Sequence, residues 1–455
     1  AREYFEFARE KSFLDICGHQ GNDFQITDAF WAELNSLTAE FQIPGKFVTL
    51  PGYEWSGNTG LGGDHNVWYR TEGRPIYRSS RALVEDRTAP ETDAHSAIDL
   101  IERLKDEDAL VVAHVGGRYA DIKYAHDAKL EPSVEVHSAW GTFEWILKDA
   151  FEAGYRIGIV ASSDGHKGRP GASYPGASLF GASYPGDSAF GSYGGLTCHL
   201  LSELDRDEVF REFRKRHHYA TTGARIYLDV TAGFDTDTPS CRMGDIVGTD
   251  SAGLDLQIDV EAAAPIERID IFDGLDNLAT LRPWSLDDRQ GRLRITCAGQ
   301  HYRGRGRLVR WTGTAQTTEG SIRRIGAVNF WNPHHQPQQT SDNRVDWRVV
   351  TTGGAASVDV WLDDDAWKGK MEIETSETTV TVSLPDLTAE GETHSCGGMD
   401  IRLMASRLPD SLTETGFSQS RRIDLTAGRE ARLFVRVTQE DGHQAWSSPI
   451  YVTRT

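Results

Sequence analysis

Apolar positions fall into two regimes along this chain. Up to about residue 224, short unbroken apolar runs alternate with stretches of helical period. Residues 2–10 read as a short amphipathic helix. Residues 13–17 read as a strand ending in the polar loop Gly18-His19-Gln20-Gly21-Asn22-Asp23. A helix is predicted over 27–41, with Thr27 or Asp28 as its cap and Pro44-Gly45 as its stop. Strands at 46–50 and 67–69 and a helix over 94–105 come next. They precede three runs of buried-strand type at 109–113, 133–137 and 158–161. A strand at 195–200 and a helix at 204–216 close this half. Its alternation of strand, loop and helix predicts a parallel sheet, either a barrel or a doubly wound sheet. From about Arg225 the period changes to two, as at 226–230, 254–260, 266–272, 293–297, 357–362, 380–384 and 433–437. Short strands separated by Gly, Asp and Thr turns predict an antiparallel β-sandwich. A chain of 455 residues exceeds the size of a single growing core, so two domains are expected, 1–224 and 225–455.

The apolar runs of the first half end repeatedly in metal-binding residue types. The run at 158–161 delivers Asp164 and His166, separated by Gly165, at the point where a strand gives way to a glycine-rich loop. His114 and His137 close two other runs, His19 follows the first, and Glu54 stands at a strand end between Tyr53 and Trp55. Neighbouring rings desolvate a carboxylate, which then needs a cation or a proton. One lone histidine in such a place is an ordinary core residue, but four in the same grammar point to a site. In a parallel barrel all such strand ends open on one face. His19, Glu54, His114, His137, Asp164 and His166 would then form a set of nitrogen and oxygen ligands suited to zinc, iron or manganese. The set exceeds the needs of one ion, so two or three metals bridged by a carboxylate such as Glu54 are expected. Such metals activate water for attack on phosphorus or carbonyl carbon.

Composition limits the alternatives. The 48 Lys and Arg against 68 Asp and Glu leave a net charge of −20, which disfavours nucleic acid and anionic membranes as partners. Five cysteines, odd in number and without a CxxC, indicate no disulfide framework and fit a reducing, cytoplasmic compartment. No apolar run approaches the roughly 18 residues of a transmembrane helix. The pattern sets no oligomeric state.

Several motifs resemble the PHP (polymerase and histidinol phosphatase) superfamily, most closely a bacterial branch of PHP-like proteins. They are Pro-Gly-Tyr-Glu-Trp at 51–55, Asp-His-Asn at 64–66, Ala-His at 113–114 and Glu-Val-His-Ser at 135–138. Ser-Ser-Asp-Gly-His at 162–166, Tyr-Ala-Thr-Thr-Gly at 219–223 and the closing segment 436–450 complete the set. The resemblance implies a distorted (β/α)7 barrel around a two- or three-metal centre, followed by the sandwich. It makes Glu54 the bridging carboxylate, His114 and His137 ligands of one metal, and Asp164 and His166 ligands of the others. His19 stands for the histidine after the second strand, where Gly-His-Gln-Gly-Asn departs from the family's usual Thr-Asp-His. His65 becomes an extra ligand or a donor to substrate. PHP proteins begin with a strand carrying a His-x-His motif, and none precedes Ala1 here. We expect an upstream segment to supply it, because an open barrel edge exposes unpaired backbone.

Arg118, Lys167 and Arg169 lie just beyond these ligands in an otherwise acidic chain, as a small anionic substrate would require. The Gly-Ala-Ser-Tyr-Pro-Gly repeat at 171–176 and 181–186 is expected to form a lid, with Tyr174 and Tyr184 as substrate contacts. His217, His218 and the segment Asn332-Pro333-His334-His335 are assigned no chemistry. The leading expectation is a metal-dependent phosphoesterase, with Arg118 and Lys167 stabilising charge and His65 or His166 moving the proton. A hydrolase of carboxyl esters or amides is the second. A non-catalytic binding protein, with a degenerate barrel and a ligand-recognising sandwich, is the third.

Overall fold

The computed structural model describes residues 1–85, 93–174, 192–286, 291–332 and 335–455. The first half contains strands β1 (Ile16–Gly18), β2 (Val48–Leu50), β3 (Gly52–Ser56), β4 (Asp64–Tyr69), β5 (Ala109–Ala113), β6 (Ser133–Ser138), β7 (Gly141–Thr142), β8 (Gly158–Ala161), β9 (Leu196–His199) and β10 (His218–Thr221). Its helices are α1 (Arg2–Glu10), α2 (Asp28–Phe41), α3 (Ala97–Leu104), α4 (Trp145–Glu152) and α5 (Arg206–Arg214). Local sequence explains their ends. Thr27 caps α2 by accepting from Phe30 N, and Ser96 and Asp99 form a reciprocal capping box on α3.

The expected (β/α)7 barrel is not what these elements build. The chain is mostly β, 43% strand against 13% helix, and its strands lie in several sheets. β1 and β2 pair with each other, β3 to β8 form a six-stranded sheet, and β9 and β10 belong to a third sheet. Pairing is antiparallel for β3–β4 and β4–β5, and parallel for β1–β2, β5–β6 and β6–β8. The reason is the short connection between β3 and β4, residues 57–63, which makes a 3-10 turn at Thr59–Leu61 and re-enters the sheet through Gly62 and Gly63, both at positive φ. At Gly63 a Cβ would fall 1.8 Å from the Tyr119 carbonyl oxygen. A hairpin reverses direction where the barrel rule demands a helical crossover. The far edge of β8 is satisfied by hydroxyls rather than a ladder: Ser448 Oγ accepts from Ile159 N at 3.0 Å and Thr197 Oγ1 from Ala161 N at 3.1 Å.

The second half holds two layered β cores rather than one. Residues 225–281 and 416–454 pack a four-stranded sheet against an eight-stranded one around Leu228, Val230, Ile258, Val435 and Val437. Residues 292–408, inserted between them, form two five-stranded sheets around Ile295, Trp311, Val358, Ile373 and Leu403. The eight-stranded sheet crosses residue 224, because β10 pairs with Gln444–Ser447 as well as with β9. Trp446, on that strand, is fully buried, stacks on His137 at 6.3 Å and donates its indole N–H to Glu144 at 2.6 Å. Replacing Trp446 with alanine is expected to cost about 3–5 kcal/mol. Chemical denaturation should show it, and a loss under 1 kcal/mol would mean that the two halves are held together elsewhere. No helix among the described residues is long and apolar enough to cross a membrane.

Candidate metal centre

Strand parity decides which side chains meet. In β5 alternate positions face one way, so Leu110 and Val112 line a cleft that leads to His114 just past the strand's end. In β3 the same rule sends Tyr53 and Trp55 into the core and Glu54 into the cleft. Antiparallel β4 starts beside the end of β5, with the His114 amide donating to the Asp64 carbonyl at 3.0 Å. The Asp64 side chain reaches the following turn, where its Oδ2 accepts from Arg118 N at 3.1 Å. From β8 the chain runs through Ser162 to Asp164, a non-glycine residue held at φ +38. Such backbone strain recurs at functional sites. Gly165 follows, where a Cβ would fall 1.8 Å from Ser173 Oγ.

Glu54, His114 and Asp164 come together there, with one ligand atom from each lying within 4.8 Å of the others. His114 is 1% exposed and held from both sides. Its Nδ1 lies 2.7 Å from Glu135 Oε1 and its Nε2 3.1 Å from Asp164 Oδ2. Burial opposes charge on this ring, but Glu135 and Asp164 outweigh it and hold the imidazole well above its usual pKa. Burial pushes Glu54 up to about 8, with the neighbouring Asp64 adding to the rise. Asp64 itself is pushed up to about 6 by burial, against the pull of Arg118. Asn22 donates to Glu54 Oε1 at 2.9 Å and Ser56 Oγ to the same atom at 3.0 Å.

The donor set fits a divalent cation. Burial raises the proton affinity of Glu54 and Asp64, and Glu135 and Asp164 raise that of His114, so a cation there would compete with protons for the same atoms. Glu135 on Nδ1 fixes the ring so that Nε2 faces the centre, the usual arrangement behind a ligating histidine. Glu135→Gln is therefore expected to weaken Mn²⁺ affinity about 10–100-fold. An unchanged titration would show that Glu135 does not orient the ring.

The other expected ligands lie elsewhere. His137 shares parity with Glu135, but the pairing of β6 with β8 shifts register between the two. Its nitrogens are engaged by Thr142 Oγ1 at 3.0 Å and the Tyr193 carbonyl at 2.9 Å, and burial pushes its pKa down to about 3. His65 points to the opposite face of β4 from Asp64, bonds the Gly63 carbonyl at 3.0 Å and faces Glu131 at 3.5 Å. It is neither at the centre nor beside the cleft. His19 lines the cleft between Tyr4 and Phe30 with a buried, unpartnered Nδ1, and burial lowers its pKa to about 4. His166 sits at the mouth, its Nδ1 3.8 Å from Asp164 Oδ1.

Among the expected substrate residues, Arg118 is tied to the centre through Asp64 Oδ1 at 2.8 Å. Lys167 and Arg169 are exposed on the next loop, and Arg169 donates to Tyr174 Oη at 3.2 Å. Tyr184 and most of the lid repeat lie outside the described residues, as do Pro333 and His334. Asp64 and Glu135 also belong to the site, and they stand within Asp-His-Asn at 64–66 and Glu-Val-His-Ser at 135–138. Starting β4 at Val67 hid the parity that separates Asp64 from His65. The cleft itself holds ≈ 580 Å³, room for a small substrate. Its floor is apolar, with Leu50, Trp68, Val160 and Phe213, and Glu54 and Asp164 stand on its wall. No protein-family model, curated protein or solved structure matches this chain.

Proposed function

We propose that Glu54, His114 and Asp164 hold a divalent cation, zinc, manganese or iron, and that the chain is a metal-dependent hydrolase of a small phosphate ester. The observation that carries this reading is the buried Glu135–His114 pair, which turns Nε2 toward two further carboxylates. A cation held there activates water and neutralises the charge that builds on the attacked group. Asp64 holds Arg118 beside the site, its two carboxylate oxygens accepting from Arg118 N and Nε. His166, half-exposed at the mouth, is the residue best placed to pass a proton to or from solvent. Lys167 and Arg169 add positive charge outside it, which draws in an anion against the chain's net negative field.

The PHP-like motifs support the same reading and favour phosphorus over a carboxyl ester. Five free thiols support a reducing compartment, the cytoplasm. Metal analysis of the purified chain, followed by a screen of phosphomonoesters, phosphodiesters and carboxyl esters, tests the proposal. Bound Zn, Mn or Fe with turnover of a phosphate ester is the expected result. A chain that neither retains nor takes up any of these metals would sink it.

A further inference from the structure

Most buried guanidiniums among the described residues meet a carboxylate. Arg78 has Asp28, Arg81 has Asp93, and Arg292 and Arg294 share Asp359. Arg307 does not. It is 3% exposed, and its donors reach only main-chain oxygens: Nε to Gly304 at 3.0 Å and Nη2 to Gly116 at 2.5 Å. Its Nη1 is buried and has no hydrogen-bond partner among the described residues. A buried charge with an unused donor is costly unless something compensates it. The carboxylates whose charge acts on it are Asp164 and Asp64, both at the centre.

The loop it holds is part of the centre too. A Cβ on Gly116 would lie 2.9 Å from His114 Nε2 and 3.0 Å from Asp64 Oδ2. Arg307 comes from the second sandwich, on a segment clamped to the first half by Arg303, which pairs with Asp149 at 2.6 Å and covers the Trp145 ring at 4.4 Å. Exposed Arg305 sits against Gly117, where a Cβ would fall 2.8 Å from its Nε. With its protons displaced by a cation, the centre would carry the charge of four carboxylates, Glu54, Asp64, Glu135 and Asp164, so an anionic substrate needs fixed positive charge close by.

We infer that Arg307, donated by the second sandwich, is the anion-binding residue of the centre and takes an oxyanion of the substrate on Nη1. The inference rests on the hydrolase reading above. Two rings cover the guanidinium, Phe143 at 4.8 Å and Trp140 at 5.6 Å, and Trp140 meets His166 at the mouth edge-on at 6.3 Å. Nη1 meets a substrate only when this cover gives way, and Trp140 is the ring of the two that borders a residue of the cleft, His166. The substrate class is then a phosphate ester whose anion Arg307 would hold beside the cation site, and the insertion of residues 292–408 completes the site rather than decorating it.

The test uses the full chain, Mn²⁺ and inorganic phosphate. Calorimetric titration of the Mn²⁺-loaded protein should give phosphate affinity at least 10-fold weaker in Arg307→Met and intermediate in Arg307→Lys. Mn²⁺ affinity itself should stay within twofold of the parent. Phosphate binding unchanged in both variants, with Mn²⁺ bound, overturns the role of Arg307 alone. Failure of the parent chain to bind Mn²⁺ overturns the hydrolase reading and this inference with it. A crystal structure of the unaltered chain with both ions gives an answer that does not depend on how the variants fold. A phosphate oxygen within about 3.2 Å of Nη1 supports the assignment, and phosphate bound away from Arg307 overturns it.

Discussion

His114→Ala is expected to abolish divalent-cation binding at the centre and to reduce hydrolysis to background. His114 supplies the one nitrogen in the cluster, and its ring links Glu135 to Asp164 at 2.7 and 3.1 Å. The same substitution leaves Glu135, 1% exposed, without the cationic ring that faces it. Removing one partner from a buried ion pair costs about 3–5 kcal/mol, so the metal-free variant should also unfold at markedly lower denaturant than the parent. Both readouts are simple: Mn²⁺ titration and denaturant melts of the two metal-free proteins. If His114→Ala binds Mn²⁺ as the parent does, the cluster is a buried ionic network and not a metal site.

Cation affinity should also rise steeply with pH. Glu54 is pushed up to about 8 from 4.5, and Asp64 up to about 6 from 3.8. Folded-state values above the unfolded ones mean that the metal-free native protein binds these protons more tightly than the unfolded chain does. Their stabilisation is complete below the unfolded values and is lost as pH rises through about 6 and then about 8. A divalent ion competes for the same oxygens. Each proton displaced makes binding about tenfold tighter per pH unit until the group ionises by itself. The His114 proton, held well above its usual range, adds to the slope. Mn²⁺ should therefore bind at least about 100-fold more tightly at pH 8 than at pH 6. It should also raise the melting temperature far more at the higher pH. Glu54→Gln should flatten both trends. A pH-independent affinity would place the ion elsewhere.

The strand ends were legible because unbroken apolar runs such as 109–113 and 158–161 read as buried strands, and the polar residues that stop them stand at the rim. That much placed Glu54, His114 and Asp164 together. His65 failed for a local reason: its strand begins three residues earlier than the apolar run suggests, and side-chain parity then belongs to Asp64. His137 failed for a reason no pattern carries, a register shift in the pairing of β6 with β8. The barrel failed because strand-loop-helix alternation says nothing about direction when a hairpin replaces a crossover. The second sandwich was hidden because period two marks strands without naming partners, and the strands of the first sandwich are separated by the 292–408 insertion.

By itself, then, the sequence determined where backbone must be buried and which acids and imidazoles sit at the boundary, because apolar burial is a property of short segments. Direction, register and partnership were decided only by the tertiary structure. They depend on contacts between residues far apart in the chain, as when Arg307 of the second sandwich comes to rest against Gly116. No window along the sequence contains both residues of such a contact.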